Sequence, residues 1–513
     1  MKQTNVWQLL TVAAGFSVSL HGLAAESEDL TSLVRKIKQD KISSVQVLKL
    51  YQGRVAELNP SLLAVIAQRS QANEEAVFSD TQAQKKLPLR GVPIFVKDNI
   101  EVRRMATTAG SLALAENVAT TDAHLVTRLR DAGAIIAGKT NLSEWANFRS
   151  TKASSGWSSA GGQTRNPYAP DFSPCGSSSG SGAAVAARMI PAAIGTETDG
   201  SIVCPAAANG LVGLKPTVGL VSRSGIIPLS HSQDTAGPMT LTVRDAALLM
   251  NTLAGSDPRD PVTRDADQRR AKDYLAGLNT QALKGKRLGV VSKMMDGYDA
   301  ATLALFKRTL AILTARGAVI VEQVELPFLD DLEQDEMTVL LYEFKADLNA
   351  YLATTPASVK TRSLADVIAF NQANADRVMP HFSQEIMEQA EASGPLTDPV
   401  YLEARQRVQQ RAGADGIDAT LKKYRLDALI APTTGATWRI DYQAGDLVAG
   451  SASSPAAIAG YPHLTVPMGQ INGLPLGLSF FAGAWSEASL LNMAYAFEQA
   501  RPRLPAPKMI SKN

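Results

Sequence analysis

The sequence predicts an α/β protein in which a large mixed β-sheet is covered by helices on both faces. The chain has 513 residues, of which 45% are hydrophobic and 19% charged, so it can bury a large core. Short apolar runs alternate with segments of helical periodicity along most of its length. Strands that alternate with helices form parallel or mixed sheets whose two faces are both covered.

Residues 1–25 have the pattern of a secretory signal peptide. Lys2 precedes an apolar run from Leu9 to Leu20, and small residues follow at Ala24 and Ala25. A membrane anchor is the weaker interpretation, because this run is too short for a helix to cross the roughly 30 Å hydrocarbon core. We therefore expect an exported protein, periplasmic or secreted, whose mature chain does not insert stably into a membrane.

The elements of the mature chain follow from local patterns. Apolar residues at helical spacing between Leu30 and Leu58 predict helices, with a capping box formed by Ser43 and Gln46. Later runs predict strands and helices in alternation: a strand in 91–100, then helix, strand, loop and the start of a helix in 123–146, strand, helix and strand in 284–326, and strands in 424–435 and 459–469.

The centre of the chain differs in composition. Between Gly156 and Gly237 it is rich in Gly, Ser, Ala and Thr, but apolar runs at 183–195 and 209–221 indicate buried helix and strand rather than a linker. From Phe344 to Lys423 the sequence is polar and helical, which predicts an insertion that lines or covers a site. We predict a single domain over residues 26–513, with its core in about 80–240 and 280–500 and the insertion at about 344–423.

Charge and cysteine content exclude several classes of protein. Fifty-one basic residues against forty-nine acidic ones leave a net charge of +2, which supplies no phosphate-neutralising face for nucleic acid. Two cysteines exclude a disulfide scaffold and any multi-cysteine metal site. In an oxidising compartment Cys175 and Cys204 could pair, and buried free thiols are an equal alternative. The five histidines form no metal-binding motif.

The serine-rich region contains a G-x-S-x-G pattern at 176–180, but its context does not fit a nucleophile elbow at Ser178. An elbow follows a hydrophobic strand, whereas turn-forming residues precede this one. A histidine partner would have to be His231, His381 or His463, none of which has an informative context. The glycines at 180 and 182 are likewise a weak match to a dinucleotide-binding loop.

Without histidine, the base that activates a serine must be a lysine whose charge is removed by burial. Lys97 follows the apolar run GVPIFV, which would carry it into the interior. The alternative for Lys97 is an ion pair with Asp98 at the end of the strand. Lys215 is a competing lysine, which we interpret as mainly structural because it follows glycine-rich turns and precedes Pro216.

The stretch from Gly176 to Thr217 closely resembles the core of the amidase signature family. Further matches lie around Lys97, around Asn141 (GKTNLSEWA), before the serines (TRNPY) and near the C-terminus (AGYPHLTVP, GLPLGL), so the resemblance runs roughly from Leu30 to Ala500. It implies the amidase signature fold. Within the family, TETDGSIVCPAA resembles the version in bacterial peptide amidases, which remove C-terminal amides from peptides.

The resemblance also implies roles for particular residues. Ser201 matches the family's acyl-forming nucleophile, Ser177 its cis-peptide serine and Lys97 its base. The backbone N–H groups of Thr198, Asp199, Gly200 and Ser201 match the oxyanion hole. In this mechanism neutral Lys97 accepts a proton from Ser177, which takes one from Ser201. No metal and no organic cofactor is required.

The chain departs from the commoner family pattern G-T-D-x-G-G-S-x-R at three positions, Glu197, Asp199 and Val203. The second glycine of the pattern is replaced by aspartate and the arginine after the nucleophile is missing. Neither change affects the three side chains of the triad, but both put the substrate preference in question.

The sequence therefore predicts an exported serine amidase that hydrolyses carboxamides of small molecules or peptides, with C-terminal peptide amides as the candidate substrate. It predicts no nucleic-acid partner. The first alternative is a protein like the A-type subunit of glutamyl-tRNA amidotransferase, which passes ammonia to a partner. The signal peptide, Asp199 and the near-neutral charge oppose that alternative. The second is a non-catalytic binding protein on the same fold, which the intact triad residues oppose.

Overall fold

The computed structural model describes residues 28–81 and 86–508. The predicted signal peptide, residues 1–25, lies outside the described residues. No helix within the described residues is long and apolar enough to cross a bilayer.

The helices begin and end where the sequence supplies caps. Ser43 accepts a hydrogen bond from the Gln46 N–H, and the Gln46 side chain accepts one from the Ser43 N–H, so the predicted capping box is present. The helices of the described residues are α1 (Leu30–Lys38), α2 (Ser44–Leu62), α3 (Ala72–Ser79), α4 (His124–Asp131), α5 (Ser179–Ala186), α6 (Val203–Ala208), α7 (Val243–Leu253), α8 (Ala266–Arg269), α9 (Ala300–Ala315), α10 (Leu332–Thr354), α11 (Leu364–Ala373), α12 (Ala375–Val378), α13 (Glu385–Ala392), α14 (Pro399–Ala412), α15 (Ala419–Tyr424), α16 (Ser454–Ile458) and α17 (Glu487–Glu498).

Short 3₁₀ turns and one π-helical segment connect some of these helices. The helix predicted to begin near Glu144 is one of the 3₁₀ turns, because Trp145 and Ala146 have left-handed φ angles of 54° and 55°. The segments are Leu112–Leu114, Glu144–Asn147, Pro261–Thr263, Lys293–Gly297, Leu329–Asp331 and the π-helical Gly413–Asp418.

Several strands coincide with the apolar runs that the sequence singles out, whereas those at 65–68, 157–158, 162–163, 235–240 and 474–481 were not predicted. Within residues 28–81 and 86–508 the strands are β1 (Val65–Gln68), β2 (Pro93–Lys97), β3 (Ile135–Thr140), β4 (Trp157–Ser158), β5 (Gly162–Gln163), β6 (Ala192–Glu197), β7 (Val212–Lys215), β8 (Thr235–Thr240), β9 (Arg287–Val291), β10 (Val319–Val324), β11 (Ala428–Pro432), β12 (His463–Ile471) and β13 (Leu474–Phe481).

Eleven of these described strands form one mixed sheet, in the order β1-β3-β2-β6-β8-β7-β12-β13-β11-β9-β10. Strand β2 runs parallel to both β3 and β6, and β9 runs parallel to β10 and β11. The strands between these two groups pair antiparallel. The predicted large mixed sheet is confirmed.

Helices cover both faces of this sheet. Ile94 and Val96 of β2 belong to an apolar cluster that contains residues of α1, α4, α7, α9 and α17. Phe95, which points to the opposite face, belongs to a cluster with residues of α2, α3, α5 and α6. Lys97 is two residues beyond Phe95, so strand alternation directs its side chain toward the α5 and α6 face.

The described chain from Leu332 to Tyr424 contains helices α10–α15 and no strand, and we call it the helical layer. The helical stretch thus begins twelve residues before the predicted boundary at Phe344, because α10 is continuous through it. Helix α10 packs along α14 and α13. Its apolar residues Leu340, Phe344 and Leu348 pack with Phe148, which precedes the Gly156–Gly237 region, and with Leu229 inside that region.

A buried ion pair links the ends of β2 and β3. Lys139 Nζ lies 3.2 Å from Asp98 Oδ1, and both side chains are buried. Asp98 also accepts hydrogen bonds from the Thr108 N–H and hydroxyl. The sequence-based alternative that Asp98 pairs with Lys97 is therefore wrong, since Lys139 from the neighbouring strand takes that place.

We predict that Lys139→Met destabilises the protein by about 3–5 kcal/mol, because it leaves the buried Asp98 carboxylate without its positively charged partner. Calorimetric unfolding at pH 7 measures the loss. The matched control is the Asp98→Asn, Lys139→Met double variant, which should regain part of the stability because no buried charge remains. A double variant no more stable than the single one contradicts this assignment.

Candidate active site

Lys97 is the last residue of β2 and is fully buried. Its Nζ lies 2.7 Å from Ser177 Oγ, 2.9 Å from Thr196 Oγ1 and 3.3 Å from the Thr196 carbonyl oxygen. Asn99 donates to the same Thr196 hydroxyl oxygen at 3.0 Å. Strands β2 and β6, which are adjacent, thus hold the amine against the hydroxyl of Ser177.

Burial lowers the pKa of Lys97 to about 7, although the carboxylates of Asp234 and Glu197 favour its charged form. A large fraction of the amine is therefore neutral at neutral pH. A neutral amine can accept a proton from the hydroxyl that it contacts, which a protonated lysine cannot do.

Ser177 follows Gly176 through a cis peptide bond. Its side chain is fully buried, and its carbonyl oxygen accepts a hydrogen bond of 3.1 Å from the Ser143 N–H. The approach of Ser143 explains the preceding glycine, because a β-carbon at Gly176 would lie only 2.3 Å from Ser143 Oγ.

Ser201 lies in the turn between β6 and α6 and is 7% exposed. The Ser178 N–H donates to its carbonyl oxygen at 3.1 Å, so the segments that carry Ser177 and Ser201 are in direct contact. Gly200, with a φ of +78°, makes the sharp turn before it. A β-carbon at Gly200 would approach Ser453 Oγ to 3.1 Å.

The turn also carries backbone N–H groups without an acceptor among the described residues. The N–H groups of Thr198, Asp199, Gly200 and Ser201 donate no hydrogen bond to any of the residues that the structure describes. Successive unpaired N–H groups in such a turn form an anion-binding concavity. These are the groups that sequence analysis assigns to an oxyanion hole.

Glu197 holds the end of this turn through two hydrogen bonds to backbone N–H groups. Its Oε2 accepts hydrogen bonds from the Ile202 N–H at 2.7 Å and the Val203 N–H at 2.9 Å. Burial raises the pKa of Glu197, and the charge of Lys215 opposes that shift.

Lys215 is itself buried. Burial lowers its pKa to about 8, and its Nζ donates to the Pro216 carbonyl oxygen at 3.3 Å. The positive charge of Lys215 thus favours the ionised carboxylate of Glu197.

Asp199 connects the turn to the helical layer. Its buried carboxyl group interacts with the carboxyl group of Glu336 on α10 and with Ser453 and Ser454, and burial raises the pKa of both acids. Gln233 donates to Glu336 Oε1 at 2.8 Å and to the Thr198 carbonyl oxygen at 3.4 Å. Sequence analysis flagged Asp199 but missed its partner, since the two acids are far apart in the chain.

A cavity of about 440 Å³ opens beside these residues. Asn99, Thr196 and Thr198 line it, and α10 contributes Asp347, Ala350 and Tyr351. Its apolar lining residues are Ala146, Ile226, Ile227, Pro228 and Leu229, and its remaining polar and titratable ones are Arg223, Ser224, His231, Asp234, Thr235, Arg259 and Asp260. The cavity has the size and the mixed lining of a small-molecule site.

His231 ties the loop at this cavity to α10. Its Nδ1 lies 2.9 Å from Asp347 Oδ2, and its Nε2 lies 3.2 Å from Glu343 Oε1. The three side chains lie close enough to hold a metal ion. However, Glu343 already accepts hydrogen bonds from Ser230, Ser232 and Tyr401. We therefore assign the cluster a role in packing the helical layer.

Ser178 does not have the surroundings of an elbow nucleophile. Its hydroxyl donates to the Thr196 carbonyl oxygen at 3.0 Å and accepts from the Thr196 N–H at 3.2 Å. Among the described residues no histidine contacts it: His381 stacks on Tyr442, and His463 contacts Ser479.

The two cysteines are paired. Cys175 and Cys204 form a disulfide, which crosslinks the segment before Ser177 to the helix after Ser201. The sequence left this pairing open, because cysteines at this separation pair only if the fold brings them together.

The chain belongs to the amidase family, whose family model matches residues 46–491. It is a hydrolase acting on carbon–nitrogen bonds, with the amidase signature fold. Its structure is similar to that of native peptide amidase from Stenotrophomonas maltophilia, with 49% sequence identity, a TM-score of 0.87, and 93% of this chain and 98% of that one covered.

Two curated relatives are more distant in sequence. A probable amidase of Arabidopsis thaliana is 39% identical over 486 residues, covering 92% of this chain and 90% of the relative. The A-type subunit of glutamyl-tRNA(Gln) amidotransferase from Pseudomonas syringae is 35% identical over 487 residues, covering 92% of this chain and 96% of the relative. The likeness to the amidotransferase is thus weaker than the likeness to the peptide amidase.

Proposed function

We propose that this protein is an exported serine amidase that hydrolyses C-terminal peptide amides through Lys97, Ser177 and Ser201. The observation that carries the proposal is the buried Lys97 amine, which contacts Ser177 Oγ at 2.7 Å. The 49% identity to a peptide amidase supports the substrate class.

In the proposed mechanism, Lys97 accepts the proton of Ser177 while Ser177 takes the proton of Ser201. Ser201 Oγ then forms a bond to the amide carbonyl carbon, and the unpaired N–H groups of the turn stabilise the oxyanion. Each such donor contributes typically about 2.7–4 kcal/mol to transition-state stabilisation. The proton returns through Ser177 to the leaving nitrogen, ammonia departs, and water hydrolyses the ester on Ser201.

The cavity supports an uncharged acyl group with an apolar side chain. Both arginines of the cavity have carboxylate partners: Arg223 contacts Asp260 at 2.7 and 3.0 Å, and Arg259 lies 3.5 Å from Asp257. An unpaired arginine there would favour a free carboxylate, whereas a paired one does not. The apolar wall at Ile226, Ile227 and Leu229 suits the side chain of the residue that bears the amide. Helix α10 contributes to this selectivity.

The second candidate is ammonia transfer in an amidotransferase, which the 35% identity to the amidotransferase relative favours. That activity needs a partner and charged tRNA, and the near-neutral chain offers no basic surface excess for tRNA. Glutamine-dependent transfer to charged tRNA by a purified complex would establish it in place of hydrolysis.

Export is supported by two features. Residues 1–25 have the order of a signal peptide, and the Cys175–Cys204 disulfide is of a kind that persists in oxidising compartments.

The direct test measures ammonia released from a peptide amide, an aliphatic amide and an aryl amide. The wild type should prefer the peptide amide, and Ser201→Ala should lose on the order of 10⁶-fold in kcat, as nucleophile removal does in serine hydrolases. Ser178→Ala is the matched control, which should still be labelled covalently by an activated phosphonate. Turnover by Ser201→Ala at the wild-type rate contradicts the assignment.

The pH dependence of kcat/KM should have an acidic limb with a midpoint near 7, because the Lys97 pKa is about 7 and only the neutral amine accepts a proton. Activity therefore rises with pH through the midpoint and falls about tenfold per unit well below it. Lys215→Met is the control, since it should leave this midpoint in place whatever it does to the rate. A midpoint that moves with Lys215 would identify that lysine as the base.

Expression of the full chain in a Gram-negative host should place the enzyme in the periplasm. Sequencing of its N-terminus should then show a start at Ala25 or Glu26. Deletion of residues 2–24 should leave the protein in the cytoplasm. An uncleaved chain recovered with the membrane fraction would instead indicate an anchor.

A further inference from the structure

The Cys175–Cys204 disulfide joins the two segments that carry the proposed catalytic serines. Cys175 directly precedes the Gly176–Ser177 bond, and Cys204 lies in the first turn of α6, which follows Ser201. The crosslinked Cα atoms are 6.0 Å apart. It is the one disulfide in the described part of the chain.

The crosslink adds a covalent bond to the hydrogen bonds between these segments. The Ser178 N–H donates to the Ser201 carbonyl oxygen at 3.1 Å, and the Cys204 N–H to the Gly200 carbonyl oxygen at 2.8 Å. The Cys175 N–H donates to Ser173 Oγ at 3.1 Å. Asn209, which follows α6, also donates to the Pro174 carbonyl oxygen at 2.9 Å, and Ser178 Oγ makes two hydrogen bonds to Thr196. The disulfide is the covalent bond among these links.

Cys175 also has an unfavourable backbone conformation. Its φ is +56°, in the left-handed region that favours glycine. Such a conformation persists only where the surrounding structure determines it. The bond to Cys204 supplies that restraint immediately before the residue pair that orients Ser177 toward Lys97.

The disulfide lies away from the cavity. Both cysteines are buried against Ala208 and Trp438, and neither lines the 440 Å³ cavity beside Thr196 and Thr198. Opening the crosslink should therefore alter the distance between the Ser177 and Ser201 hydroxyls rather than the surface that holds the acyl group.

We infer that the Cys175–Cys204 disulfide is a positioning element for the reaction, which sets the distance between the Ser177 and Ser201 hydroxyls, so that the oxidised enzyme is the active form. This inference rests on the proposed function. Opening the crosslink takes a reducing dithiol: its two thiols form a disulfide, and the Cys175–Cys204 bond accepts two electrons and two protons to give two thiols.

The test compares the oxidised wild type with the Cys175→Ala, Cys204→Ala double variant on a peptide amide. We expect kcat to fall by about tenfold to a hundredfold, the cost of misplacing reacting groups by about 1 Å, while KM stays within about twofold. The rate of Ser201 labelling by an activated phosphonate should fall by the same factor. Trp438→Phe is the matched control, since it alters the packing around the disulfide but keeps the bond, and its kcat should change by less than about twofold.

A second arm uses the unaltered chain, in case the double variant does not fold. Wild-type enzyme is reduced with dithiothreitol until two thiols titrate, and its circular dichroism and kcat are then measured. An unchanged spectrum with a reduced kcat that recovers on reoxidation supports the inference. Loss of the spectrum on reduction assigns the bond to stability alone and overturns the inference.

Equal kcat in the crosslinked and opened forms likewise overturns the inference and leaves the proposed function intact. If the oxidised wild type hydrolyses no carboxamide, the proposed function fails. The labelling rate of Ser201 still decides the role of the crosslink in that case, because it requires no substrate.

Discussion

The site depends on one buried amine. Lys97 has lost its hydration at the end of β2, and the groups within hydrogen-bonding distance are the hydroxyls of Ser177 and Thr196 and the Thr196 carbonyl oxygen, none of which carries a charge. Burial without a contacting carboxylate lowers its pKa to about 7. Asp98, the nearest acid in sequence, is held away from the amine because Lys139 on the next strand pairs with it.

The sheet positions the Lys97 amine, and the serine-rich turns position the two serines near it. Parallel neighbours β2 and β6 place Lys97 beside Thr196. Gly176 permits an approach of Ser143 that a β-carbon would block, and Gly200 permits the positive φ of the turn before Ser201. Glu197 and the Cys175–Cys204 disulfide then hold the turn at Ser201 from two sides. The helical layer adds Glu336 against Asp199 and part of the cavity wall.

Much of the fold could be predicted from the sequence, because it follows from local pattern. Apolar runs predicted β2, β3, β9, β10, β11 and β12, and the Ser43–Gln46 box predicted the start of α2. Lys97 could be singled out because it follows a buried strand. What could not be predicted depends on contacts between distant segments.

The Asp98–Lys139 pair, the Asp199–Glu336 pair and the disulfide each join segments that only the folded chain brings together. The early start of α10 and the left-handed turn at Trp145 were missed for another reason. Helical periodicity continues through Leu332–Phe344 in a mixture of acidic and apolar residues, and Trp145 carries no glycine signal for its positive φ.

The measurement that tests the central claim most directly is an NMR titration of Lys97 in enzyme labelled with ¹³C-lysine, with Lys97→Met used to assign the signal. The account predicts that the side chain loses its proton with a pKa near 7. A pKa near the ordinary value of about 10.4 would mean that Lys97 is charged at neutral pH and cannot be the base.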